Sequence, residues 1–274
     1  MSTATTEGAG ARTRAQVPER ITPLTTIGNG LQLARRSVLK IKANPAEVLG
    51  LVLQPFMFVV LFVFVFGEAM MGDWRAYRDF LMPGVIAQSV VFATLGTGFS
   101  LSEDVEKGVF DRFRSLPIAR SAPLIGAILG DLVRYAITVV MVLLVGLLIG
   151  FRPEGGAVGV IGAGLLVLVF AFALCWMSAF VGMIARTPMS VQAFGMILMF
   201  PLTFASSAFV SPDDMPGWLR AVAANNPVTH LVDSMRALML GGDAASPVAW
   251  TLVWAAVITA VFFPLAVWAY RRRT

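Results

Sequence analysis

His230, Asp233 and Ser234 are the residue types of a hydrolytic triad. In such a triad a hydroxyl attacks, an imidazole takes its proton and a carboxylate orients the imidazole. Their spacing of i, i+3 and i+4 places them together on one exposed face of a predicted helix. No strand–turn–helix elbow or oxyanion donor accompanies them. An amphipathic surface helix accounts for all three, so this chemistry is not expected. Ser206 and Ser207 lie in an apolar run with no buried histidine to pair with, which argues against an intramembrane protease. His230 is the single histidine and Cys175 the single cysteine. An ordinary His-rich metal site and an intrachain disulfide are therefore both excluded.

Two other patterns bear on transport chemistry. Asp131 and Arg134, at i and i+3, fall near the end of an apolar run, where local pairing as a neutralised interfacial pair is the first expectation and a role in gating the second. Ionisable groups at mid-membrane, which a proton-coupled transporter needs, are almost absent. The chain has no Gly-x-x-x-x-Gly-Lys-Ser/Thr phosphate loop, and Glu106-Lys107-Gly108 lacks both the glycine spacing and a preceding strand. An uphill transporter of this kind must draw its energy from another subunit.

The elements that position these residues are set by hydropathy. Of 274 residues 57% are hydrophobic and 14% charged, against about 25% charged in soluble domains. Mean hydropathy is +0.79, so lipid must replace water over much of the surface. A span needs about 20 apolar residues. Six windows qualify: Val48–Phe66, Phe80–Leu101, Leu124–Ile149, Ala157–Ile184, Met189–Val210 and Pro247–Tyr270. The expected fold is an all-α integral membrane protein with six transmembrane helices. No cleavable signal peptide is evident, so the first apolar run is expected to remain as an anchor.

Charge orients the spans, because Lys- and Arg-rich connections stay in the cytoplasm. With both termini inside, 16 of the 21 Lys and Arg residues fall on the cytoplasmic side. The net charge of +5 is thus a topology signal rather than a nucleic-acid footprint, with weak attraction to anionic lipid as a secondary effect. The expected location is the plasma or inner membrane.

Four polar stretches remain. Residues 1–28 form an expected flexible cytoplasmic tail, leaving residues 29–274 as the membrane domain. Leu31, Ala34, Val38 and Ile41 make an apolar stripe flanked by basic residues, which suits a cytoplasmic amphipathic helix ended by Asn44-Pro45. From Ser102 to Arg120, Ser102 is the expected N-cap and Pro117 the stop of a helix between spans two and three. Its mixed charge and aromatic side chains make it either a docking surface for a soluble partner or a solvated loop helix. Between spans five and six, Asn226 is the expected cap of a helix that begins at Pro227 and ends at Gly241-Gly242. This outer element is expected to rest in or dip into the leaflet, with Trp218 and Leu219 as interfacial anchors.

At these residues the chain resembles the permease subunits of type-2 ABC exporters, most closely the daunorubicin-resistance-type drug permeases. The resemblance rests on Gly108-Val109-Phe110-Asp111-Arg112-Phe113-Arg114-Ser115-Leu116-Pro117-Ile118, with Gly126 and Asp131 following, and on Asn226-Pro227-Val228-Thr229, continuing to Arg236-Ala237-Leu238 and Gly241-Gly242. The six-span layout with basic termini adds to it, over roughly residues 25–272. It implies a dimer of permeases, the second either the same chain or a relative, served by two cytoplasmic ATPase subunits. ATP and Mg would sit on the ATPase, with no cofactor and no catalysis on this chain. It also implies that 31–42 is a connecting helix, that 103–116 is a coupling helix, and that 211–242 contains a re-entrant pair closing the outer exit. By that match Glu103, Asp104, Glu106, Lys107, Gly108, Phe110, Arg112 and Phe113 are the ATPase-coupling residues.

The resemblance further places the substrate path along spans one, two and five. There Gln54, Phe58, Phe62 and Phe66, together with Gln192, Met196, Met199, Phe200 and Phe204, are the candidate path residues. Aromatic and Met side chains adapt to flat, apolar cargo, while Gln54 and Gln192 are lone polar groups able to orient a ligand or bridge protomers. The expected function is export of amphipathic drugs or lipid-like metabolites. Export of a lipid-linked glycan or envelope lipid is the nearest alternative, and a non-transporting membrane sensor or assembly protein belongs to a different class.

Overall fold

The computed structural model describes residues 45–108 and 122–273, and those residues are helical with no strand among them. The tail at 1–28, the stripe at 31–42 and the stretch 109–121 lie outside the described residues. Pro45 opens α1 (Pro45–Val60) at its first position, where its missing N–H costs nothing. The chain runs on through a wide π turn, Leu61–Phe66, into α2 (Gly67–Met71). Gly72, at φ 70°, then reverses it.

Asp73 caps α3 (Trp74–Ala93) by accepting the Arg75 N–H at 2.9 Å. At Thr94 the hydroxyl bonds back to the Val91 carbonyl at 2.6 Å, and α4 (Leu95–Glu106) follows. The next elements are α5 (Ala122–Ile149), α6 (Gly156–Ile184) and α7 (Pro188–Phe204). A short 3-10 turn at Pro212–Asp214 and α8 (Gly217–Ala224) precede α9 (Pro227–Leu240) and α10 (Ala245–Arg273).

Among the described residues, five stretches are long and apolar enough to cross a membrane: Leu53–Met71, Trp74–Glu106, Ala127–Ile149, Gly156–Ile184 and Ala245–Tyr270. The expected fifth span, Met189–Val210, is shorter than its apolar run. Its helix stops at Phe204 after 17 residues, about 26 Å at 1.5 Å per residue. Residues 205–210 instead turn inward, and Ser206, Ser207, Ala208 and Phe209 are buried. Non-helical backbone at that depth needs protein partners, and it has them. Asn226 Nδ2 donates to the Leu202 and Ala205 carbonyls at 2.7 and 3.0 Å, Tyr77 Oη donates to the Phe209 carbonyl at 3.0 Å, and the Ser207 N–H reaches Thr229 Oγ1 at 3.2 Å.

Two further expectations are corrected. Ser102 is not an N-cap: it is buried within α4, and the second span's helix continues to Glu106 before turning at Lys107 and Gly108, where φ is +65°. The polar face of α9 does not look outward either. Thr229 and Ser234 are buried, and α9 packs against α3, α6 and α10. Its ends match the sequence, with Asn226 Oδ1 accepting the Val228 N–H at 2.8 Å and Gly241 and Gly242 at positive φ.

The hub is α6, which packs against α10, α4, α9 and α5. In lipid, helices associate through close contact more than through expulsion of water, and α6 shows how. Gly98 of α4 lies on the Ser178 carbonyl, and Gly182 of α6 lies on the Gly98 carbonyl, so a Cβ on either glycine would strike backbone. On the other flank Trp176 meets Phe263 of α10 edge to face at 4.7 Å between centroids.

Candidate functional site

Helices α1, α3, α4, α5 and α7 enclose a cavity of about 460 Å³, within the range of small-molecule sites. Two of its sides carry the lone glutamines of the apolar runs, Gln54 from α1 and Gln192 from α7. Gln88 of α3, buried among apolar neighbours, faces the same space. Phe58, Phe92, Phe99 and Met196 supply apolar walls, while Ser89, Thr138 and Arg134 add polar ones.

Arg134 is set by a network that crosses three helices. Its Nη2 lies 3.5 Å from Asp131 Oδ1, and its guanidinium sits 5.7 Å from the centre of the Tyr135 ring. Asp131 Oδ2 accepts the Thr97 hydroxyl at 2.6 Å. A hydroxyl has one proton to give, so Tyr135 must be the donor in its own 2.6 Å contact with Thr97 Oγ1. The Cys175 thiol in turn donates to Tyr135 Oη at 3.5 Å. The order Cys175, Tyr135, Thr97, Asp131 is therefore a directed chain from α6 through α5 and α4 to the carboxylate beside Arg134.

A ladder of rings leads away from the cavity. Phe58 stacks on Phe62 at 5.7 Å, and Phe62 meets Phe66 at 5.6 Å and Phe209 at 5.0 Å. Phe209 then meets Phe204 at 5.0 Å, which stacks on Phe200 at 4.3 Å.

The candidate path residues thus fall into two connected groups. Gln54, Phe58, Gln192 and Met196 line the cavity, whereas Phe62, Phe66, Phe200 and Phe204 join through Phe209. Met199 belongs to neither. It is buried in the core, beside a small void shared with Met177 and Gly195. Of the coupling candidates, Glu103, Asp104, Glu106 and Lys107 occupy the end of α4 and its turn, with Lys107 Nζ 2.7 Å from Glu103 Oε1. The hydrogen bond and charge of Glu103 raise the Lys107 ammonium above its ordinary value. Gly108 completes the turn, and Phe110, Arg112 and Phe113 lie outside the described residues.

The triad residue types do not form a triad. Ser234 Oγ donates to the His230 main-chain carbonyl at 2.5 Å and lies 2.9 Å from Thr251 Oγ1, while the His230 ring stacks on Trp250 at 5.8 Å. Burial lowers the His230 imidazole below its ordinary value.

Asp233 serves Arg236 instead. Arg236 Nη1 bonds Asp233 Oδ1 at 2.9 Å, Nη2 donates to the Phe80 and Ser207 carbonyls at 3.2 and 3.0 Å, and the guanidinium lies 3.8 Å over the Phe80 ring. Ser207 Oγ also donates to Asp233 Oδ1, at 2.7 Å. Burial lowers the Arg236 guanidinium to about 10, which leaves it cationic at neutral pH.

Gln88, Ser89 and Thr138 are cavity residues that the sequence reading missed. For Gln88 the signal was present: it is a lone carboxamide in an apolar run, like Gln54 and Gln192.

Comparison with known proteins gives a family. The family model described as ABC-2 type transporter matches residues 30–240. The chain is similar to the daunorubicin resistance ABC transporter permease protein DrrB1 of Streptomyces coeruleorubidus, at 39% identity over 96% of this chain and 93% of that one. It is also similar to the doxorubicin resistance ABC transporter permease protein DrrB of Mycobacterium tuberculosis, at 30% identity over 76% and 77% of the two chains. At 25% identity, over 75% of this chain and 72% of the other, it matches a putative transport permease of Cyanophora paradoxa.

Proposed function

The chain belongs to the ABC-2 type transporter family, and from that premise we propose that it is the membrane half of an ATP-driven exporter of amphipathic drugs or lipid-like metabolites. The observation that carries this reading is the cavity of about 460 Å³ with its apolar and carboxamide walls, continued by the ladder from Phe58 to Phe200. The names of the curated relatives, which speak of daunorubicin and doxorubicin resistance, support the cargo class.

In this reading the chain crosses the membrane six times with both termini in the cytoplasm. Helix α7 and the inturned residues 205–210 together make the fifth crossing, and α8 and α9 cover the outer exit. The acidic end of α4 and the residues after Gly108 meet a cytoplasmic ATPase, which holds ATP and Mg. Two permease chains and two ATPases make the working unit. Cargo enters the cavity from the cytoplasmic leaflet and leaves along the ring ladder.

Reconstitution of the chain with its ATPase tests the reading. Amphipathic cargo should accelerate ATP hydrolysis, and Glu106→Lys should lower that acceleration without preventing membrane insertion. Export that persisted with a hydrolysis-dead ATPase would sink the proposal.

A further inference from the structure

Three carboxamides face one cavity: Gln54 from α1, Gln88 from α3 and Gln192 from α7. None of the described residues hydrogen-bonds any of these side chains. The other polar walls are already engaged. Ser89 Oγ donates to the Val85 carbonyl at 2.7 Å, and Thr138 Oγ1 donates to the Arg134 carbonyl at 3.0 Å. Arg134 meets Asp131 and lies beside the Tyr135 ring.

The three amides differ in depth. Gln54 and Gln192 are exposed, on the open side of the cavity, where a second copy of the chain could meet them. Gln88 is only 6% exposed, with Val85, Ile86, Ala87, Val90 and Val91 buried on the same helix. An amide in such a place costs free energy unless it is hydrogen-bonded, and an apolar side chain of similar size would not carry that cost. Its Nε2 donates and its Oε1 accepts, so its complement is a neutral group that does both. Phe58, Phe92 and Phe99 supply apolar surface in the same space.

We propose that Gln88 is a specificity-determining residue of this cavity: its carboxamide pairs with a neutral donor–acceptor edge of the cargo, an amide or a hydroxyl beside a carbonyl, while the apolar body lies against the phenylalanines. This rests on the reading of the cavity as the cargo chamber and assigns one residue a part in its selectivity. A site built to hydrogen-bond a polar edge rejects the analogue that lacks it, because its own buried group is then left unpaired. The carboxamide is uncharged, so it sets no sign for a charge elsewhere on the cargo.

The test is binding to the full chain in phosphatidylcholine nanodiscs, with empty discs as the partition background. The probes are pyrenebutanamide and methyl pyrenebutanoate, which share ring and chain and are both neutral. The amide head donates and accepts, whereas the ester head only accepts. The amide should bind about 10-fold more tightly than the ester. Gln88→Leu should abolish that preference, and Gln88→Asn, which carries the same group on a shorter stem, should restore part of it.

Melting of the same variants separates a binding role from a structural one. Gln88→Leu removes no bond within the described residues, so it should melt no lower than the native chain. If Gln88→Leu does not give a folded chain, Gln88→Met carries the binding comparison. Equal or absent binding of amide and ester to the native chain overturns the proposal. So does a preference that survives Gln88→Leu, which would assign the edge to the exposed amides if Gln54→Leu or Gln192→Leu removed it. A marked fall in the melting temperature of Gln88→Leu, or a chain that folds with neither substitution, would make the amide structural and overturn the proposal as well. Because no ATPase is present in this assay, such a failure beside intact ATP-driven export would discard the role of Gln88 alone.

Discussion

Among the described residues, two Asp–Arg pairs have the same i, i+3 spacing and different surroundings. In α9, Asp233 and Arg236 meet at 2.9 Å, and the guanidinium also bonds the Phe80 and Ser207 carbonyls. In α5, Asp131 and Arg134 meet at 3.5 Å, the carboxylate takes a shorter bond from Thr97, and the guanidinium stands at a cavity wall. The first pair is a fastener, its donors tying a carbonyl within α3 to one in the non-helical stretch after α7. The second stands at the cavity wall, its carboxylate held by the hydroxyl of Thr97. Spacing alone does not distinguish them. What does is the surroundings of each guanidinium: the Phe80 and Ser207 carbonyls and the Phe80 ring about Arg236, the cavity wall and the Tyr135 ring about Arg134.

That difference is open to breaking at four points. The largest effect is expected for Arg236→Met, which leaves Asp233 without its cation and takes a donor from the Phe80 and Ser207 carbonyls. A cost of about 2–4 kcal/mol is expected, below the full range for a buried pair because the Asp233 side chain is 38% exposed. Thermal unfolding in detergent should show it, and a loss no larger than that of Arg134→Gln would remove the contrast.

Thr97→Val should come next, at about 1–3 kcal/mol, because it withdraws the short bond to a half-buried carboxylate. It should also disturb the network behind the cavity wall and alter cargo-stimulated ATP hydrolysis. Unaltered stimulation in a folded Thr97→Val chain would show that this network does not serve the cavity.

Ser207→Ala removes one of two short contacts to Asp233 Oδ1. About 1 kcal/mol is expected, with no change in cargo-stimulated ATP hydrolysis, which reads the distant cavity. A change there would couple the two pairs.

The smallest effect concerns pH. Burial lowers the His230 imidazole in the folded chain, so the unfolded chain takes up its proton first as pH falls. Stability from this group is complete above the unfolded value near 6.5 and declines as pH falls through it. Because the group is only partly buried and Asp233 opposes the shift, the decline should be slight, and His230→Gln should flatten the melting temperature across that window. A native profile already flat between pH 7 and 5 would leave His230 without such a role.

The sequence made the helices legible because hydropathy and capping are local. Asn226-Pro227 and Gly241-Gly242 mark the ends of α9 as expected, and Gln54 and Gln192 stood out as lone amides before the cavity was seen. The end of α7 was not legible. Residues 205–210 are apolar enough to prolong a span, and the helix stops where Asn226, Tyr77, Thr229 and Arg236 offer bonds from afar.

The polar stripe of α9 was visible as a stripe, but periodicity does not say whether water or Thr251 and Ser207 will cover it. Met199 shows the same limit in an apolar setting. Its neighbours on α7 line the cavity and the ladder, yet one face of that helix meets the core.

The π turn at Leu61–Phe66 sets the phase of the helix beyond it. In an unbroken α-helix, side chains four apart drift steadily round the axis. A wider turn retards that drift, so Phe58, Phe62 and Phe66 remain in one file with successive ring spacings of 5.7 and 5.6 Å. Removing a single residue from this segment would restore ordinary hydrogen bonding and rotate everything beyond it by about 100°. The locally more regular helix would then misalign Gly67 from Trp74, which it now touches closely enough that a Cβ would lie 3.0 Å from the Trp74 Cα. The extra residue works as a shim: one irregular turn keeps the file of rings and the following hairpin in register together.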